Sequence, residues 1–368
     1  MDSRSTARTR SQPASGKSFA MTTRFTATTL IMSAATAALL LTGCVAGENQ
    51  PAAEAAGSDD SAGAVTEGGT LNIDFATYNP LSLVIKDQGW LEEALADQDI
   101  TVNWVQSAGS NKANEALRAE AIDVGSTAGS AALLARSNNS PIQVIDIYSQ
   151  PEWAALVVPE GSAITSVEDL KGKQVAATKG TDPYFFLLQS LEAAGLTEKD
   201  VTVQNLQHAD GWAALQNGSV DAWAGLDPIM GGAEAAGAEL VYRNVDFNSY
   251  GFLNATESFI AEKPDVAQTV VDVYEHARAW ALENEDETIE ILAEVAALDP
   301  AVAATVITER SNLDVDNVPG QAQLDVLTTI GPVFVETGDV LEQQQVDDAL
   351  DTIINDTFAK NADPTIVE

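Results

Sequence analysis

Four short polar segments of this chain share one chemistry. They are Tyr78-Asn79, Ser107-Ala108-Gly109-Ser110, Ser126-Thr127 and Gly180-Thr181-Asp182, and each leads into a predicted helix. A helix start presents unpaired N–H groups and about half a positive charge. Several starts meeting in one cleft hold an oxyanion without any lysine or arginine, and the glycines let backbone approach such a ligand closely. Taken singly, each segment reads as an ordinary helix cap; a shared location is what would make them a site. Trp153 and Trp212 flank turns near the same ends and are candidate pocket walls, whereas Trp223 lies within a predicted strand and reads as core. Asp182, Asp210 and Asp227 add carboxylates beside these indoles.

Other chemistries find little material. The chain has no Gly-x-Ser-x-Gly elbow, no Walker loop and no Gly-x-Gly-x-x-Gly turn. His208, His276 and Cys44 are too few for a His/Cys metal cluster. Asp314-Val315-Asp316-Asn317 suggests calcium but lacks the glycine and closing glutamate of such a loop. No metal, no cofactor and no catalysis are expected. A net charge of -37 repels phosphates and argues against nucleic acid as a partner; it reads most simply as solubility in a saline exterior.

The elements that must position these residues begin after an address. Met21 to Cys44 reads as an export signal: Arg24, an apolar run from Leu30 to Leu41, then Leu41-Thr42-Gly43-Cys44. That ending matches a bacterial lipoprotein signal, in which cleavage before Cys44 leaves its sulfur to take a lipid. The expected division is a signal over 1–43, with Met1 or Met21 as initiator, and a lipidated Cys44 with an Ala/Gly/Ser/Asp/Glu-rich tether over 44–69. From Thr70 onward strand and helix patterns alternate. Asn79-Pro80 opens one helix, Ser110 another, and Asp182-Pro183 and Asp210 cap two more. Gln344 to Phe358 is the last expected helix. Alternation of this kind calls for an α/β fold with helix-covered sheets. Two series with a return suggest two lobes, 70–152 plus 247–368 and 153–246.

Residues 70–340 resemble the aliphatic-sulfonate-binding proteins of ABC importers, within the nitrate/sulfonate/taurine group. The resemblance runs through Gln88-Gly89-Trp90-Leu91-Glu92, Ala121-Ile122-Asp123-Val124-Gly125-Ser126-Thr127 and Val158-Pro159. It continues through Asp169-Leu170-Lys171-Gly172-Lys173-Gln174-Val175-Ala176, Lys179-Gly180-Thr181, Ala209-Asp210, and Val220-Asp221-Ala222-Trp223 with Asp227-Pro228. It implies a two-lobed, type II-like periplasmic-binding fold: two mixed sheets flanked by helices, joined by a two-strand hinge. Ser126 and Thr127 would form the first-lobe anion loop, Gly180 and Thr181 the second-lobe helix start, and Asp227 the cleft mouth. The chain departs from the family pattern at Leu226, at Gly211-Trp212 and at Asp182, where tryptophan, Ala-Arg and asparagine are usual. The implied protein is a monomeric solute-binding lipoprotein on the outer face of the bacterial cytoplasmic membrane, serving an ABC permease and its ATPase. Its ligand would be a small organic anion, foremost an aliphatic sulfonate. Nitrate, taurine or a neutral or cationic heterocycle, such as a thiamine-pyrimidine precursor, remain alternatives. An enzyme on the same lobes is a further one, disfavoured because the cofactor-bearing cysteine of such an enzyme has no counterpart in the folded body.

Overall fold

The structure, a computed structural model, describes residues 68–367. The export signal, Cys44 and the tether up to residue 67 lie outside the described residues. Among the described residues no helix is long and apolar enough to cross a membrane.

The strands are β1 (Gly69–Phe75), β2 (Ile100–Gln106), β3 (Val124–Ala128), β4 (Ile142–Ser149), β5 (Ala154–Val158), β6 (Gln174–Ala177), β7 (Thr202–Asn205), β8 (Ala222–Leu226), β9 (Glu239–Tyr242) and β10 (Gly251–Thr256). They form two five-stranded sheets, ordered β2-β1-β3-β10-β4 and β7-β6-β8-β5-β9. Both sheets follow one plan. Three parallel strands, each reached through a helical crossover, make one side. An antiparallel strand, β10 in the first sheet and β5 in the second, then sits between that trio and the edge strand. The strands β3, β5, β8 and β10 are buried along their whole length. Their sequences are accordingly apolar or small throughout rather than alternating. The chain crosses between sheets twice, through Gln150–Trp153 and back through Arg243–Tyr250.

The apolar core runs through both halves. The helix Asp182–Ala193 flanks the second sheet, yet its Phe185 packs on Phe334 of the helix Gln321–Thr337, ring centroids 4.8 Å apart. A second bridge is an arm made of the helices Glu285–Ala296 and Pro300–Thr305 and a π-helical turn, Val306–Ser311. Leu292, Ala303, Val306 and Ile307 cluster with Leu83 of the helix Pro80–Gln88. Val302 and Val306 also lie against Gly231, in the helix Ile229–Ala235 beyond β8; a Cβ there would meet them at 3.2 Å. The arm thus touches helices associated with both sheets.

Several expected element ends move. The helix expected over Gln344 to Phe358 is two, Gln343–Thr352 and Thr357–Lys360. Between them Ile353 O and Asn355 N bond Val144 on β4, and that sheet-edge pairing breaks the helix. Ser110 does not cap its helix: the cap position is Gly109, and Ser110 Oγ accepts from Ala128 N at 2.9 Å instead. Asp210 lies one turn inside the helix His208–Gln216, whose cap position is Gln207. Asp182 is the first helical residue after Thr181 rather than a cap.

Gly251, at the re-entry of the second crossing, carries the tightest backbone approach. A Cβ there would lie 2.5 Å from Ser149 Oγ and from the Tyr148 ring. Gly251→Ala should therefore lower stability by about 1–3 kcal/mol through overpacking, read by thermal or urea denaturation; an unchanged midpoint would mean the two strands have slack here.

Candidate functional site

Where the crossings meet, a carboxylate is buried without a cation. Asp182 Oδ1 accepts from Ser130 Oγ at 2.6 Å and Ser249 Oγ at 2.7 Å. Its Oδ2 accepts from Trp153 Nε1 at 2.7 Å and Ser249 N at 2.8 Å. Ser130 opens the helix Gly129–Ser137 of the first sheet, Trp153 ends one crossing and Ser249 lies on the other. Burial raises the Asp182 pKa while the hydroxyl, indole and amide donors oppose the rise. Hydrogen bonds to a charged group are worth about 1.5–3 kcal/mol each, so four of them offset the several kcal/mol that burying a carboxylate costs. The knot also fixes the Trp153 indole, which meets Tyr78 edge-on at 6.1 Å and tilts over Tyr148 at 6.5 Å.

In front of Trp153 lies an indentation between the two sheets. Its lining includes Tyr78, Ser149, Trp153, Asp227, Arg310 and Ser311, and the backbone ties several of these together: Asp227 N donates to Trp153 O and Glu152 N to Arg310 O, each at 2.9 Å. It encloses about 300 Å³ including its open mouth, and its depth has room for little more than a water molecule. Asp227 follows β8 and sits just before the helix Ile229–Ala235, where its Oδ1 accepts from Gly231 N at 2.9 Å. Arg310, only 5% exposed, comes from the π-helical turn of the arm. Its Nη1 donates to both Asp227 oxygens at 3.3 Å, and its Nη2 donates to Glu234 at 2.5 Å. Its Nε is buried without a partner. Burial pushes the Asp227 carboxyl up to about 6, with the Arg310 guanidinium pulling it back.

Of the expected site residues, Tyr78, Trp153 and Asp227 meet at this wall. Tyr78 OH donates to Ser126 O at 3.0 Å. Ser126 and Thr127 lie within β3, two positions and one position before the cap of the next helix, and both are fully buried. Ser126 N and Oγ donate to Asp74 Oδ1 at 2.8 and 3.0 Å, and Thr127 Oγ1 accepts from Asn254 Nδ2 at 2.9 Å. Asn79 caps its helix by accepting from Ser82 N, and its amide donates to Tyr274 OH. Thr181 Oγ1 donates to Thr178 O, and Gly180 faces Asn111 and Leu134 in a separate groove. Asp210 is exposed, and Trp212 packs on the buried Trp223, centroids 6.1 Å apart, without lining the indentation. Among the described residues no group of three or more acidic, histidine or cysteine side chains is placed to hold a metal ion.

Arg310 was missed because it lies outside every strand–loop–helix unit of the sequence reading. The signal was nevertheless there. Val302, Val306 and Arg310 fall at i, i+4 and i+8, one stripe of a helix. A cation ending an apolar stripe in so acidic a chain calls for a buried carboxylate opposite.

Two mixed sheets joined by two crossings, with an aromatic and charged cavity between them, define the periplasmic-binding-protein fold. Residues 82–288 match the family described as NMT1/THI5 like, and the chain belongs to it. It is 30% identical over 249 residues to the putative aliphatic sulfonates-binding protein of Escherichia coli K12, covering 67% of this chain and 73% of that one. Among solved structures, the alkanesulfonate-binding protein SsuA from Xanthomonas axonopodis pv. citri, bound to MOPS, superposes with a TM-score of 0.69. Identity there is 25%, over 76% of this chain and 97% of that one. The desulfurization enzyme DSZB shares the fold at a TM-score of 0.59 and 16% identity, over 80% of this chain and 98% of that one.

The buried Asp74 behind Tyr78 gives a pH signature. Burial pushes it up to about 7, against the pull of donors at Ser107 and Ser126. In the unfolded chain it ionises near the ordinary aspartate value. Between those two values the native state holds the proton that the unfolded state has lost. Its contribution to stability therefore falls as pH rises from about 4 to about 7. Asp74→Asn should flatten that decline and add about 2–4 kcal/mol at pH 8 while changing little at pH 4. Denaturation midpoints across that range check it; parallel curves for the two proteins would contradict it.

Proposed function

We propose that this protein is the solute-binding component of an ABC importer, holding a small organic anion, foremost a short aliphatic sulfonate, between two closing lobes. The carrying observation is the lining of the cavity: a buried arginine, Arg310, and an aromatic corner made by Tyr78 and Trp153 border the same space. Such a corner suits an apolar tail, and the guanidinium suits an acidic head. The family membership and the sulfonate-binding relatives support the same reading.

The lobes are 70–152 plus 247–368 and 153–246, hinged at the two crossings. The narrow cavity corresponds to the closed form, so ligand enters when the sheets separate and is sealed from water as they return. Exclusion of water strengthens each hydrogen bond to the head group. The permease recognises that closed form. The lining includes neither histidine nor cysteine, which favours carriage over turnover. Residues 1–43 export the chain, and a lipid on Cys44 tethers it to the outer face of the cytoplasmic membrane, where it works as a monomer.

The acidic residues bear on the rival ligand, a cationic heterocycle. Asp182 accepts four hydrogen bonds behind Trp153, and Asp227 already faces Arg310. Asp210 is exposed and away from the lining. These placements favour the anion.

Titration calorimetry with short alkanesulfonates, taurine, nitrate and a thiamine-type pyrimidine separates the readings. Saturable binding of the sulfonates is expected, with a change in tryptophan emission that Trp153→Phe largely abolishes. Binding of the pyrimidine without any sulfonate response would reject the proposed ligand class.

A further inference from the structure

Two donors on residues that line the cavity have no partner within the protein, Ser149 Oγ and Arg310 Nε, and only the second is charged. Arg310 carries five N–H bonds in a planar fork. Two edges of that fork are engaged, Nη1 with Asp227 and Nη2 with Glu234. Nε is buried and unpartnered, on a residue that lines the cavity together with Tyr78, Trp153 and Ser311. An unsatisfied buried donor costs about 1–3 kcal/mol, more when charged. The guanidinium cannot swing away to relieve it, because the two carboxylates fix its plane and Val306 of the same turn packs into the arm's apolar cluster. The turn is pinned from behind as well: Arg278 donates to the carbonyls of Leu313 and Tyr148, tying the chain just past the turn to the end of β4.

We propose that Arg310 is the residue that reads the ligand's acidic head group, its Nε–H donating to one head-group oxygen while Asp227 and Glu234 hold the guanidinium in place. This rests on the binding function proposed above and adds the reader, which comes from the C-terminal arm rather than from the polar helix starts.

The arrangement has a consequence for charge. One guanidinium stands against two carboxylates, so a fully ionised cluster is already net negative before an anion arrives. The charged groups acting on Asp227 are Arg310 and Glu234, the latter on the helix that Asp227 precedes; the Tyr78 phenol donates to Ser126 O, and Glu152, whose N–H donates to Arg310 O, spends its carboxylate on Arg243. Asp227 is the member whose proton is within reach, since burial holds its carboxyl near 6. An incoming anion raises it further, because a like charge disfavours the carboxylate. Binding therefore takes up a proton, and affinity for a monoanion strengthens as pH falls from 8 toward 5.5. A sulfonate stays ionised across that range, so the dependence belongs to the protein.

The test uses the full chain and a short alkanesulfonate as probe, by calorimetry, with the melting temperature followed in parallel. Arg310→Lys keeps the charge but loses the fixed fork, and should weaken binding at least 10-fold without loss of cooperative melting. Wild-type affinity should rise about 10-fold from pH 8 to pH 5.5, and Asp227→Asn should make it pH-independent, a change that a merely structural role for the pair would not produce. Wild-type binding with undiminished affinity in Arg310→Lys overturns the role of Arg310 and leaves the function standing. A wild type that binds no sulfonate at any pH overturns both. A flat wild-type pH profile overturns the proton uptake.

Discussion

A buried carboxylate without a cation is the constraint on which the rest of this molecule turns. Asp182 sits where both crossings pass, and its two oxygens gather donors from the first sheet's helix start and from near the end of each crossing. An ion pair would tolerate some disorder in such a place. Four short hydrogen bonds do not, because each is directional and a missing one leaves the carboxylate uncompensated. The knot thereby settles the direction of the Trp153 indole, which in turn fixes the edge against Tyr78. The aromatic corner of the cavity is a consequence of a polar cluster behind it.

The charged part of the lining is built by different means. Its charged member arrives on a chain segment far from the loops around it, carried by an arm that packs on both halves through Leu83 and through Gly231. The smallness of Gly231 matters here, since a Cβ would meet Val302 and Val306 at 3.2 Å, tighter than ordinary contact. Apolar packing positions the guanidinium, and Asp227 and Glu234 then orient it. The division suits a binding protein: the aromatic part of the lining is set at the crossings, the charged part by the arm.

The alternation of strand and helix and the two-lobed class were legible because parallel βαβ units write themselves locally, in caps such as Asn79-Pro80 and stops such as Gly195. The helix starts were legible to within a residue or two, yet their chemistry was not. Ser126 and Thr127 read as an anion loop at a helix start, and the fold turns their polar groups to Asp74 and Asn254. Asp182 read as a helix cap, and it serves three other segments instead. These are long-range pairings, and nothing in the spacing of neighbouring residues encodes them. The arm was opaque for the same reason: its stripe of Val302, Val306 and Arg310 acquires meaning only once Gly231 and Asp227 are known to lie opposite.

The central claim is that Arg310 takes an anion's head and the aromatic corner its tail. A crystal structure of the protein grown with a short alkanesulfonate tests it most directly. The account predicts the sulfonate between Tyr78 and Arg310, an oxygen within hydrogen-bond distance of Nε, and the alkyl chain against the Trp153 ring. A sulfonate seated in the groove at Gly180 and Asn111, or on the outer face of either sheet, with the cavity at Arg310 passed over, would contradict it.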